Sequence, residues 1–213
     1  MSLPDFKPWV ASAYATQESD DLHLREHTQS QTTLVQGGFL HAVHDVVQLP
    51  NGKQSNREYV IHPGAVMIIP VLDDGRLVVE RQWRHPCNQV MLEFPAGKKD
   101  PAESGLACAA RELEEETGWK ATRWACAGHM HPTIAYSTEV IEIWFAQGLV
   151  PGVRRLDEGE FLDVHLTTLQ EMEMGILNGR ITDGKTMVGV WWAQRVLSGE
   201  VSLLWQDMSH ESV

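Results

Sequence analysis

Apolar positions along the chain fall into short β-like runs separated by turn residues, and three stretches instead repeat with a helical period. Residues 1–38, ending in "QGG", are polar and weakly periodic and predict no definite element. Two β-rich runs then flank Pro50, Asn51 and Gly52 in "FLHAVHDVVQLPNGKQSNREYVIH". A second hairpin is expected in "AVMIIPVLDDGRLVVERQW", turning at Asp73, Asp74 and Gly75. Residues 65–71 are almost wholly apolar, which predicts a strand buried on both faces. "VMLEFPAGKKDP" reads as a short strand running into a loop.

Helix is expected over 102–117, with Pro101 at its start and Gly118 as its stop. A strand follows over 139–146, then a Gly- and Pro-bearing loop, "QGLVPGVRRLDEGE", and an extended "FLDVHL". Thr168 and Glu171 form a capping box for a helix striped by Leu169, Met172 and Ile176. The last helix, about 185–197, is apolar nearly all round, which suits a buried or interfacial position. Interleaved strands and helices predict an α/β or α+β class with a mixed sheet.

Composition adds exclusions. Hydrophobic residues are 43% of the 213 and charged residues 22%, an ordinary globular balance. The net charge of -12 disfavours nucleic acid and anionic membrane as partners. It leaves small anionic substrates open, because a bound cation reverses the local sign. Cys87, Cys108 and Cys126 have neither paired metal spacing nor an even count, so a reducing compartment is expected. No apolar run approaches the ~20 residues of a membrane span, and the N-terminus does not read as a signal peptide. These features predict a soluble, cytoplasmic protein.

The chemistry concentrates in "RELEEETG", residues 111–118. At about 100° per residue, Glu112, Glu115 and Glu116 share one helix face, and Glu114 points away. Arg111 lies one turn before Glu115 and can pair with it, whereas Leu106, Ala110 and Leu113 form a neighbouring packing face. A solvated acidic face is the plainer reading of such a run. Against it stand the small residues of "LACAA", which allow close approach, and the Gly-Lys-Lys loop just before the helix. Hard divalent cations take carboxylates, waters and phosphate oxygens, so the cluster suits Mg²⁺ or Mn²⁺ in phosphate chemistry.

The full spacing runs from Gly97 through Glu103 to Arg111, Glu112, Leu113, Glu115, Glu116, Gly118 and Trp119. It resembles the Nudix box, G-x5-E-x7-R-E-U-x-E-E-x-G-U with U apolar, at every fixed position. The resemblance implies a Nudix α/β/α sandwich and Mg²⁺-dependent attack of water on a diphosphate. It makes Glu112, Glu115 and Glu116 metal ligands, with Arg111 orienting a glutamate and Gly97 and Gly118 shaping the loops. The flanks "RQWRHP", "LEFPAG", "HPTIAYSTEVIEI" and "LDEGEFLDVH" are similar to the branch holding ADP-ribose pyrophosphatases and GDP-mannose hydrolases. By that likeness the Ala96 carbonyl joins Glu116 on a metal, and Glu158 or Glu160 supplies the base or a further metal contact. Arg84 binds the diphosphate, and Glu93, Gly97, Tyr136 and Glu139 belong to the substrate site.

The pattern departs in one place: Pro132 comes thirteen residues past Trp119, and "TIAYSTE" stands where a Gly-rich loop is typical. Tyr136 is therefore open to a stacking or a packing role, and His129 and His131 read as ordinary polar positions. ADP-ribose is the expected substrate, giving AMP and ribose 5-phosphate. GDP-mannose, nucleoside triphosphates and a non-catalytic nucleotide-sensing module are the rivals. The resemblance also implies a homodimer, with residues 1–55 as a β-rich dimerising extension and 56–213 as the Nudix domain.

Overall fold

The structure is a computed structural model, and it describes residues 21–208. The chain divides into two compact units, Met1–Val60 and Ile61–Val213, where the sequence reading sets the boundary after residue 55. In the first unit β1 (His27–Gln36), β2 (His41–Gln48) and β3 (Gln54–Val60) form an antiparallel sheet in that order. Strand β1 lies in the stretch for which the sequence predicts no element. It is exposed along its length, so it lacks the apolar alternation that marks a half-buried strand. The β2–β3 hairpin turns as expected, with the Gly52 amide donating to the Leu49 carbonyl at 2.9 Å. Buried Asp45 accepts hydrogen bonds from Thr28, Gln31 and Tyr59, tying the three strands together. Residues 1–20, part of the weakly periodic start and of the expected dimerising extension, lie outside the described residues.

The second unit is built on a mixed sheet. Strands β4 (Ala65–Pro70), β5 (Leu77–Arg84), β6 (Gln89–Glu93) and β7 (Ala96–Lys98) lead to helix α1 (Gly105–Glu112). Then come a π-helical turn, Leu113–Thr117, and strands β8 (Trp119–Met130), β9 (Ile141–Pro151) and β10 (Leu162–Thr167). Helices α2 (Leu169–Leu177) and α3 (Gly184–Leu197) and the short β11 (Gln206–Asp207) complete the chain. The five-stranded sheet runs β11-β8-β9-β4-β7, with β4 parallel to β9 and the other pairs antiparallel. A separate antiparallel sheet runs β10-β5-β6.

Strand β4 explains its unbroken apolar run. Val66 and Ile68 face a core made with Cys108, Ala109, Leu113, Trp124 and Trp144. Met67 and Ile69 face the opposite core, with Phe94, Phe145, Met172, Ile181 and Val190. Both faces are covered, so no polar position is tolerated. The same demand limits the expected β4–β5 hairpin to its turn. Strand β4 takes β7 and β9 as sheet neighbours, while the turn at Asp73, Asp74 and Gly75 closes with a Val71–Leu77 bridge and the Leu72 amide donating to the Arg76 carbonyl at 2.9 Å.

Helix α1 begins later than expected because Ala102 adopts φ +64° and Ser104 is the cap, accepting from the Ala107 amide at 3.2 Å. The capping box of Thr168 and Glu171 forms on α2 as expected. Asp183 caps α3, accepting from the Thr186 amide at 3.0 Å. Trp191 on that helix remains 47% exposed, so α3 is not buried all round.

Candidate active site

The Nudix-box segment is placed by packing. Ala109, Ala110 and Leu113 bury against β4, β8 and β9, which leaves the acidic side chains on the opposite side. The turn 113–117 widens from α to π geometry, a local change frequent at functional sites. It ends at Gly118, whose φ of +74° suits the residue without a Cβ.

Glu112 and Glu116 lean on β7. The Ala96 amide donates to Glu116 Oε2 at 3.1 Å. The Glu112 carboxylate lies so close over Gly97 that a Cβ there would sit 1.9 Å from it. Burial pushes the Glu112 carboxyl up to about 7. Burial raises Glu116 well above the usual range as well, and the charges of Glu80, Glu112 and Glu160 add to it.

Arg111 holds more than the one glutamate the spacing predicts. Its guanidinium donates to both oxygens of Glu103 at 2.9 Å, to Glu112 at 2.8 Å and to Glu115 at 3.0 Å. It also reaches the Lys98 carbonyl at 3.2 Å. Its hydrogen bonds draw the Glu103 carboxyl down to about 2. The Glu115 side chain is 35% exposed against 13% for Glu112, so Glu115 sits at the rim. Glu112 and Glu116 lean on β7, and Arg111 Nη1 bridges Glu112 and Glu115, which keeps Glu115 beside Glu112 at the outer edge of the acidic face. The backbone passes from α to π geometry after Glu112.

A second polar group faces inward from β5, where Glu80, Gln82 and Arg84 follow at intervals of two. Glu80 stands opposite Glu93 of β6 in register. Arg84 grips Glu93 with two bonds, Nε at 2.7 Å and Nη2 at 2.9 Å. Lys185 at the start of α3 also donates to Glu93, and to Asp183 at 2.9 Å. Burial opposes ionisation of Glu93, yet Arg84 and Lys185 hold its carboxyl below the usual value. Gln82 donates to Glu160 at 2.9 Å, which brings the "DEGE" turn to the same strand. Glu158 is exposed in that turn.

Glu80, Lys185 and Asp183 are absent from the sequence-based candidates. Glu80 is fully buried, and neither of its carboxylate oxygens has a hydrogen-bond partner among the described residues. Burial, with the charge of Glu93 beside it, raises its carboxyl to about 8. The available signal was a glutamate ending the apolar run "LVVE", in step with Gln82 and Arg84. Tyr136 and Glu139 lie in the β8–β9 connection. The Tyr136 amide donates to the Thr133 carbonyl at 3.1 Å, and the Glu139 carboxylate lies 3.9 Å from His62 Nε2. Their side chains make no hydrogen bond to the buried carboxylates, and Tyr136 is 59% exposed.

The donor set suits a hard divalent cation. Buried carboxylates with raised pKa values gain most when a cation offsets their charge. Among the described residues no group of three His, Cys, Asp or Glu side chains is placed to hold a metal as it stands. Mg²⁺ does not require three, because it keeps waters and takes substrate phosphate oxygens. Ala96, Glu112 and Glu116 therefore fit such an ion, with Glu160 nearby.

Comparison with known proteins agrees. The family profile described as the NUDIX domain matches residues 61–187, so the chain belongs to the Nudix family. It is a Nudix hydrolase of the ADP-ribose pyrophosphatase-like branch. The chain is 33% identical over 173 residues to the ADP-ribose pyrophosphatase of Bacillus subtilis (strain 168), covering 80% of this chain and 94% of that one. It is 38% identical over 152 residues to a methanol dehydrogenase activator of Bacillus methanolicus, covering 70% and 82%. A solved structure described as ADP compounds hydrolase superposes with a TM-score of 0.74 at 25% identity, covering 83% of this chain and 97% of that one. No helix among the described residues is long and apolar enough to cross a membrane.

Proposed function

We propose that the enzyme hydrolyses the diphosphate of a nucleoside diphosphate sugar in a Mg²⁺-dependent reaction, with Mn²⁺ as a substitute. ADP-ribose is the substrate that the relatives favour, with AMP and ribose 5-phosphate as products. One observation carries the reading: the half-buried Glu112 and buried Glu116 carboxylates are seated on Gly97 and Ala96.

Glu112, Glu115, Glu116 and the Ala96 carbonyl would hold the ion, with Glu160 as a further ligand. When bound, the ion offsets the diphosphate charge and lowers the pKa of the attacking water. Arg84 offers its guanidinium to the diphosphate, and Glu93 borders the same place. Arg111 fixes Glu112 and Glu115 against Glu103, which preserves the spacing of the acidic face. Glu158, exposed on its turn, takes the water proton as substrate binds. The water oxygen bonds to one phosphorus, the bridging P–O bond breaks, and the other phosphate leaves with the electron pair.

The protein acts as a homodimer in this reading. Exposed β1, with Leu34 and Val35 about half exposed, offers apolar surface for a partner chain. The three free cysteines support a cytoplasmic setting. A hydrolysis screen tests the substrate, using ADP-ribose, GDP-mannose, NADH, diadenosine polyphosphates and nucleoside triphosphates with Mg²⁺ and Mn²⁺. Preference for ADP-ribose is expected. Preference for a nucleoside triphosphate would overturn the assignment.

A further inference from the structure

The N-terminus of α3 carries a chain of charges that the family motif does not include. Asp183 Oδ2 accepts from the Thr186 amide at 3.0 Å, from the Thr186 hydroxyl at 2.6 Å and from Lys185 Nζ at 2.9 Å. Thr186 Oγ1 in turn accepts from the Phe94 amide at 3.2 Å, fastening the helix start to the end of β6. Lys185 Nζ then reaches Glu93 Oε2, and Glu93 binds Arg84 through Nε and Nη2. The Glu93 side chain is 2% exposed and that of Lys185 15%, so bulk water contributes little to holding either charge.

The direction of Arg84 follows from these bonds. Two of its nitrogens are used by Glu93, and Nη1 makes no hydrogen bond among the described residues. The Arg84 side chain is 37% exposed, so the fork is anchored at one edge and open at the other. A guanidinium in this state is ready for a phosphate, because little rotamer freedom remains to be lost on binding. The anchor depends on Glu93 staying in place. Glu93 carries one charge and has two cations, Arg84 and Lys185, with unpaired Glu80 across the strand pair. Without Lys185, Asp183 and Glu93 would lose the cation they share.

We infer that Lys185 is a positioning residue for substrate binding: with Asp183 it fixes Glu93, and through Glu93 it aims the open edge of Arg84 at the substrate diphosphate. The inference rests on the proposed role of Arg84 as diphosphate ligand. Arg84 touches the substrate, and Lys185 acts only through it.

A double-mutant cycle separates the two. Binding of α,β-methylene-ADP-ribose with Mg²⁺ is measured by calorimetry for wild type, R84A, K185M and R84A/K185M. Steady-state KM and kcat on ADP-ribose are measured alongside. K185M is expected to weaken binding by about tenfold, a typical coupling for groups in one ion-pair network. KM should rise by a similar factor, with kcat changed less than about twofold. In the R84A background K185M should change binding less than about twofold. Equal weakening by K185M in both backgrounds overturns the inference, and so does unchanged binding in K185M alone. If R84A itself binds like wild type, the diphosphate role of Arg84 fails, and this inference fails with it. Should K185M not fold by circular dichroism, K185Q completes the same cycle.

Discussion

Replacing Glu80 by Gln should make the protein more stable, and increasingly so as pH rises. Glu80 is fully buried with no hydrogen-bond partner for its carboxylate among the described residues, and its carboxyl is raised from 4.5 to about 8. Between those values the folded chain keeps the proton and the unfolded chain has lost it. Proton uptake on folding lowers stability as pH increases, at about 1.4 kcal/mol per pH unit for one group. The full interval of about 3.5 units corresponds to an upper limit of about 5 kcal/mol, reached above pH 8. Gln has nearly the same shape and no charge to titrate. The stability of E80Q minus that of wild type should therefore climb by about 3 kcal/mol between about pH 5.5 and pH 7.5. Urea denaturation of both proteins at half-unit pH steps measures it. A difference flat to within about 0.5 kcal/mol over that range would refute a neutral, buried Glu80.

Other consequences are more local. In G97A the new Cβ must displace the Glu112 carboxylate, which would lie 1.9 Å away. Turnover should fall by at least about 100-fold because the carboxylate proposed to hold the metal has moved. Melting should change little, since the displaced atoms end a flexible side chain. The affinity for Mn²⁺ should strengthen as pH rises through the Glu112 value of about 7, because ligation requires the ionised form. Calorimetric Mn²⁺ titrations at several pH values check this, and E112Q should flatten the dependence. Leu113 is fully buried beneath the acidic turn, so L113A should cost about 2–5 kcal/mol, read by urea denaturation.

Much of the site was legible because its residues lie close in sequence. Gly97 to Trp119 is one continuous motif, and its spacing holds whatever the rest of the chain does. The two-sided burial of β4 was also readable, because the strand carries no polar position. What escaped depends on distant partners. Glu80 looks like one more charge until β6 places Glu93 opposite it. Lys185 looks like an ordinary first-turn lysine until α3 docks beside Glu93. The β4–β5 hairpin keeps its turn but not its strand pairing for the same reason. Its turn chemistry was sound, but the sheet offered β4 better-buried neighbours. Strand β1 left no trace because all its residues remain exposed.

In the proposed reaction the Glu116 carboxylate holds a divalent ion for cleavage of a diphosphate. The most direct test is the initial rate of AMP release from ADP-ribose with Mg²⁺, for wild type and E116Q of equal circular dichroism. Metal-dependent turnover by wild type, reduced by at least about 100-fold in E116Q, is the predicted result. Near wild-type turnover by folded E116Q, or no Mg²⁺-dependent AMP release by wild type, would contradict it.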